Sequence, residues 1–122
     1  MKTIIVAFLA LLSISFMALA ADVTGTWKAD VPGRGGNTQT MTFVLKSSGN
    51  TVTGTTTGGR GGENPIEEGK LDGDNISFSQ TLNFNGNSIK QMYTGKVSGD
   101  TIEFTRQVEG RGGPVTFTAK KQ

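Results

Sequence analysis

The chain has 122 residues, no cysteine and no histidine, and 12 Lys and Arg against 10 Asp and Glu. That length supports one small domain, and near charge balance argues against a general nucleic-acid or membrane-surface binder, which needs a basic excess. Without cysteine or histidine there is no disulfide staple, no Cys/His nucleophile–base pair and no zinc site of the usual ligands.

Residues 1–20 read as a cleaved secretory signal peptide. Met1-Lys2 gives a short positive start, Ile4 to Leu12 an apolar run, and Ala18-Leu19-Ala20 the small residues before a cut ahead of Ala21. The run is broken by Ser13 and Ser15 and has no basic stop-transfer cluster after it, unlike a membrane anchor. The expectation is export from a bacterium, to the periplasm or the medium, with residues 21–122 forming a single β-barrel domain.

From Val23 onward the hydrophobic period is two. Ile76, Phe78, Gln80, Leu82 and Phe84 alternate with Ser77, Ser79, Thr81 and Asn83; Ile102, Phe104, Arg106 and Val108 do so with Thr101, Glu103, Thr105 and Gln107. Half-buried strands have this pattern. The spacing predicts eight strands, near 23–31, 38–47, 51–58, 65–72, 75–85, 88–98, 101–109 and 114–121. Trp27, Met41, Phe43, Leu45, Val52, Ile76, Phe78, Leu82, Val97, Ile102, Phe104 and Phe117 are expected to point inward. Tight turns follow from Gly49-Asn50, Gly73-Asp74, Gly86-Asn87 and Gly99-Asp100, which tolerate the positive φ of hairpins. The unit from Gly69 to Phe78 recurs 26 residues later from Gly95 to Phe104, which suits a meander.

The fold expectation is therefore all-β: an eight-stranded antiparallel up-and-down barrel, closed because closure removes exposed edges without a covalent staple. A two-sheet sandwich would show the same alternation, and pairing of the first strand with the last separates the two. The outward faces carry Thr, Ser, Lys and Glu, so insertion into a membrane is not expected.

Val23-Thr24-Gly25-Thr26-Trp27 resembles the opening strand of avidin and streptavidin, and its Gly-x-Trp resembles the start of lipocalins. Gly49-Asn50-Thr51-Val52-Thr53-Gly54-Thr55 is similar to the second hairpin of the avidin family. The resemblance implies a calycin-like barrel with a ligand cavity open at one end. Trp27 is the only tryptophan, whereas biotin-binding relatives line the cavity with several, and the lipocalin Thr-Asp-Tyr turn and disulfide are missing. Biotin and large greasy ligands are therefore not expected. The chain is also similar to short exported bacterial proteins of unassigned function.

Two constellations point to a site. Gly-Arg-Gly-Gly occurs three times, around Arg34, Arg60 and Arg111. In an up-and-down barrel all three copies fall at one end, with the Asn-rich turn of Asn83, Asn85 and Asn87 beside them and the turns at Gly49, Gly73 and Gly99 at the opposite end. Guanidinium forks and glycine-flanked N–H groups suit carboxylate, phosphate or sulfate; solubility of wide Gly-rich loops would explain the same residues. The second constellation is an inward polar layer of Glu67, Gln80, Tyr93 and Arg106 at similar heights, with Gln91 one step nearer the open end. An inward arginine needs a neighbour, and Glu67 or Tyr93 is the natural one; the layer reads either as an internal ion pair or as a polar floor for a ligand.

The leading expectation is an exported, non-catalytic binding protein for a small or oligomeric anionic ligand, with acidic sugars first in mind, using Arg34, Arg60, Arg111, Glu67, Gln80, Gln91, Tyr93 and Arg106. No cofactor, metal or nucleic acid is called for, and the oligomeric state is left open. A structural or surface-interaction module, adhesive or polysaccharide-associated, is the alternative. An enzyme using a barrel carboxylate such as Glu67 or Glu68 ranks third, since nothing in the sequence fixes its partner.

Overall fold

The computed structural model describes residues 21–32, 36–58, 62–84 and 86–122. The strands are β1 (Gly25–Pro32), β2 (Thr38–Ser48), β3 (Thr51–Thr57), β4 (Asn64–Pro65), β5 (Glu67–Asp72), β6 (Asn75–Phe84), β7 (Asn87–Ser98), β8 (Thr101–Val108) and β9 (Arg111–Lys121). Each antiparallel neighbour follows in sequence. The ring then closes where β1 pairs with β9 through Trp27–Lys121, Lys28–Lys120 and Ala29–Ala119. The first and last strands are thus joined, which decides for the barrel over the sandwich. Strands β4 and β5 together fill one staff position, so this is the eight-stranded up-and-down barrel that the alternation implies, compatible with a calycin-like fold.

The barrel is packed solid through its lower half. Trp27, Phe43, Leu45, Val52, Leu71, Ile76, Phe78, Val97, Ile102, Phe104, Phe117 and Ala119 are all buried. Five rings occupy the middle: Phe43 stacks on Phe104 at 5.0 Å between centroids, and Phe78 on Tyr93 at 4.8 Å, with Phe117 beside Phe104 at 5.7 Å. Such pairs add about 0.5–1.5 kcal/mol each beyond area burial. The cluster fits because Gly95 faces inward: a Cβ there would lie 2.8 Å from Phe104 Cδ1 and 3.0 Å from both Ile76 Cγ2 and Ile102 Cγ2. Of the inward residues expected from sequence, Leu82 alone is only half-buried, being nearest the open end.

Residues 21–24 strap the closed end. Ala21 N donates to Gly73 O at 3.1 Å, Val23 is wholly buried, and the Trp27 indole N–H donates to Val23 O at 3.0 Å. Asp22 Oδ1 accepts from Thr24 N and from Ser47 Oγ, both at 2.9 Å, and these bonds hold its carboxyl below the usual value, with Lys121 helping. Trp27 therefore plugs the base of the barrel.

One irregularity changes the inner face. Val52 pairs with Gly69, but Thr55 pairs with Pro65; likewise Lys70 pairs with Ser77, but Glu67 with Ser79. Both neighbours thus see one extra residue after Glu67. Glu68 is that residue, with φ of 53°, the left-handed conformation that glycine usually supplies in a bulge. The bulge inverts the alternation, so Ile66 packs against the core and Glu67 turns to solvent.

Candidate functional site

Strand directions put the closed end at the turns Gly49-Asn50, Gly73-Asp74 and Gly99-Asp100, beside the Ala21–Thr24 strap. The opposite end gathers Pro32 and Thr38, Thr57 and Asn64, Phe84 and Asn87, and Val108 and Arg111. The segments carrying the three Gly-Arg-Gly-Gly copies all connect strand ends on this side. Arg34 and Arg60 themselves lie outside the described residues, as does the side chain of Arg111. The third copy differs from a wide loop. Gly110, with φ of 73°, completes a turn with Glu109, and Arg111 already begins β9, paired with Val108. Arg106 then pairs with Val115, so Gly112, Gly113 and Pro114 are taken up in a bulge.

Below this end lies the polar layer, and its members do not share one height. Tyr93 and Arg106 are register partners across β7 and β8, whereas Gln80 pairs with Gln91 one step nearer the opening. The expected level of Gln80 with Tyr93 is corrected accordingly: the β6–β7 hairpin sets Phe78, not Gln80, opposite Tyr93. Glu67 is the second correction. Counting back from the turn places it inside, but the Glu68 bulge puts it on the exposed outer face, where it is no partner for Arg106.

Gln80 is buried, and its amide nitrogen donates to Thr56 Oγ1 at 2.8 Å and to Asn64 O at 3.2 Å. Its donors are spent tying β6 to β3 and β4. Neither Thr56 nor Asn64 is among the residues singled out from sequence. Thr56 was legible, since it shares the parity of Val52 and Gly54; Asn64 was not, because the bulge intervenes.

Tyr93 is buried, and its hydroxyl donates to Gln91 Oε1 at 3.1 Å. Burial pushes the phenol pKa up, more than the positive charge and hydrogen bonding of Arg106 pull it down. The phenol therefore stays neutral and supplies no counter-charge. Arg106 is half-buried, yet its Nε is wholly buried and has no hydrogen-bond partner among the described residues.

Charge is distributed one-sidedly around this group. All ten Asp and Glu side chains are exposed, and the one ion pair among the described residues joins Lys90 and Glu68 at 3.7 Å on the surface. Every described lysine is exposed as well, leaving Arg106 as the single charged group of the inner face among the described residues. An unneutralised guanidinium with a dry donor is costly. Such a group calls for an acceptor that the described residues do not supply.

Compared with family models, with curated proteins and with solved structures, the chain matches none.

A second concavity lies on the outer wall over β1, an open depression of about 480 Å³ lined by Lys28, Asp30, Thr40, Thr118, Lys120 and Gln122. Its lysines are register partners, and Thr40 Oγ1 donates to Asp30 Oδ1 at 3.0 Å. All its charged groups are solvated, so nothing there lacks a partner.

Proposed function

We propose that this protein is an exported, non-catalytic binder of a small or oligomeric anion, taken up at the open end of a calycin-like barrel. The observation that carries the reading is Arg106: a cation on the inner face, with a buried unpartnered Nε–H and no carboxylate inside the barrel to meet it. The three Gly-Arg-Gly-Gly segments at the same end supply further guanidinium groups and glycine N–H positions suited to anions. The aromatic floor beneath limits the depth of entry, which favours a small group over a long apolar one.

Substitution of Arg34, Arg60 or Arg111 by Gln tests this. Each should weaken binding of an acidic glycan fragment in calorimetric titration while moving stability by no more than about 0.5 kcal/mol, as expected for solvated loop positions. Unchanged affinity in all three variants would remove the loops from the site.

A surface-interaction role is the second reading. It draws on a row of outward hydroxyls running through register partners Ser77, Thr94, Thr105 and Thr116, the last two with Oγ1 atoms 3.5 Å apart. Concentration-dependent assembly without any anion response would favour it.

A further inference from the structure

The inner face narrows the chemistry of the anion. Arg106 brings one positive charge, Tyr93 and Gln91 are neutral, and Gln80 has committed its amide to Thr56 and Asn64. A buried site is at its lowest energy when charge is balanced within it. A carboxylate, with one negative charge, matches the one positive charge that the described residues place on the inner face. A phosphate monoester, carrying about 1.5 to 2 negative charges at neutral pH, leaves an excess that no charged side chain of the described inner face offsets. The planar guanidinium fork pairs with the two oxygens of a carboxylate in one plane as well as with two of a phosphate, so charge and not shape separates them.

Depth adds a constraint on how the group arrives. Arg106 lies three residues along β8 from Glu109 in the turn, about 10 Å along the strand at ~3.3 Å per residue. An acid group fixed in the middle of an unbranched polymer does not reach that far without the polymer entering too. An acid at the end of a molecule does.

We propose that Arg106 is the anchor for a terminal monoanionic carboxylate, of a small organic acid or of a chain end, held beside Tyr93 and Gln91 within the barrel mouth. This rests on the anion-binding reading above and specifies its anchoring group. The bulge at Glu68 is part of the device. By turning Glu67 outward it removes from the inner face the carboxylate that strict alternation would have put there, and so leaves that role to the ligand.

The test uses purified protein and three probes on one scaffold: butyrate, butane-1-sulfonate and n-butyl phosphate. The Arg106 Nε–H signal in a 1H–15N spectrum is the readout, and calorimetry reports affinity. Butyrate should move the Nε–H resonance downfield, saturably, as the proton gains an acceptor. It should bind about ten-fold more tightly than n-butyl phosphate, a difference of about 1.4 kcal/mol, with the sulfonate no tighter than butyrate. Arg106→Met should abolish butyrate binding, and Gln91→Leu should weaken it if Arg106→Met does not fold. Equal or tighter binding of the phosphate, or tighter binding of the sulfonate, at Arg106 would overturn the carboxylate assignment and leave the anion reading standing. Binding of anions without any change at Arg106 would overturn the anchor and place the site at the loops. No response to any anion would overturn both.

Discussion

Tyr93 and Arg106 face one another across the β7–β8 ladder, a neutral buried phenol opposite a guanidinium with a dry, unpartnered Nε. A structural ion pair would have placed a carboxylate there. Because none is present, removing the arginine strands no acidic group, and the usual 3–5 kcal/mol cost of breaking a buried pair does not apply.

Arg106→Met should therefore leave stability unchanged or raise it by up to about 2 kcal/mol, as a shorter, unbranched apolar chain replaces an uncompensated charge. Urea denaturation measures this. A loss of 3 kcal/mol or more would assign Arg106 to the scaffold instead of the site.

The bulge offers a second test. Glu68 holds a left-handed backbone that costs a non-glycine residue about 1 kcal/mol, while its surface contacts with Lys90 and Ser79 are worth a few tenths. Glu68→Gly should stabilise the barrel by about 0.5–1 kcal/mol in the same denaturation experiment. Destabilisation by a similar amount would mean that the carboxylate, not the backbone, dominates.

Gly95 is fixed by packing and not by φ. A methyl group at that position meets Phe104, Ile76 and Ile102 at 2.8–3.0 Å, so Gly95→Ala should cost about 1–3 kcal/mol by overpacking the aromatic layer. A thermal melt within a degree of the parent would show that the rings shift freely.

Acid should loosen the strap. The hydrogen bonds from Thr24 and Ser47 hold the Asp22 carboxyl below its ordinary value, so ionised Asp22 stabilises the folded chain above the unfolded value of 3.8. That contribution is lost as pH falls through the lowered folded value. The parent should exceed Asp22→Asn in stability by a constant margin near neutrality, and the margin should shrink below about pH 4. A margin independent of pH would detach Asp22 from the closure.

Strand number and approximate limits were legible because alternation and Gly-Asn or Gly-Asp turns carry that information locally; ring closure, which the same alternation leaves open, is decided by the β1–β9 pairing. Phe43, Ile76, Ile102 and Phe104 lie where period two puts them. The site was legible only in part. Counting from a turn fails at a bulge, and Glu67-Glu68 carries no glycine of its own to announce one; Gly69 was the nearest hint. The absence of any carboxylate from the inner face was likewise hidden, since it follows from where the parity inverts. The level of Gln80 was misjudged because register there is set by the β6–β7 hairpin, not by the turn from which it was counted.

The claim that the open end takes an anion is tested most directly by the melting temperature of the purified protein against rising concentrations of acidic glycan fragments, small carboxylates and phosphates, with neutral sugars of matched size alongside. A ligand that binds only the native state raises apparent stability in proportion to the logarithm of its concentration over Kd. The account predicts an Arg106-dependent rise, continuing logarithmically above Kd, with at least one anionic class and none with the neutral sugars. No rise with any anion, or an equal rise with the neutral sugars, would contradict it.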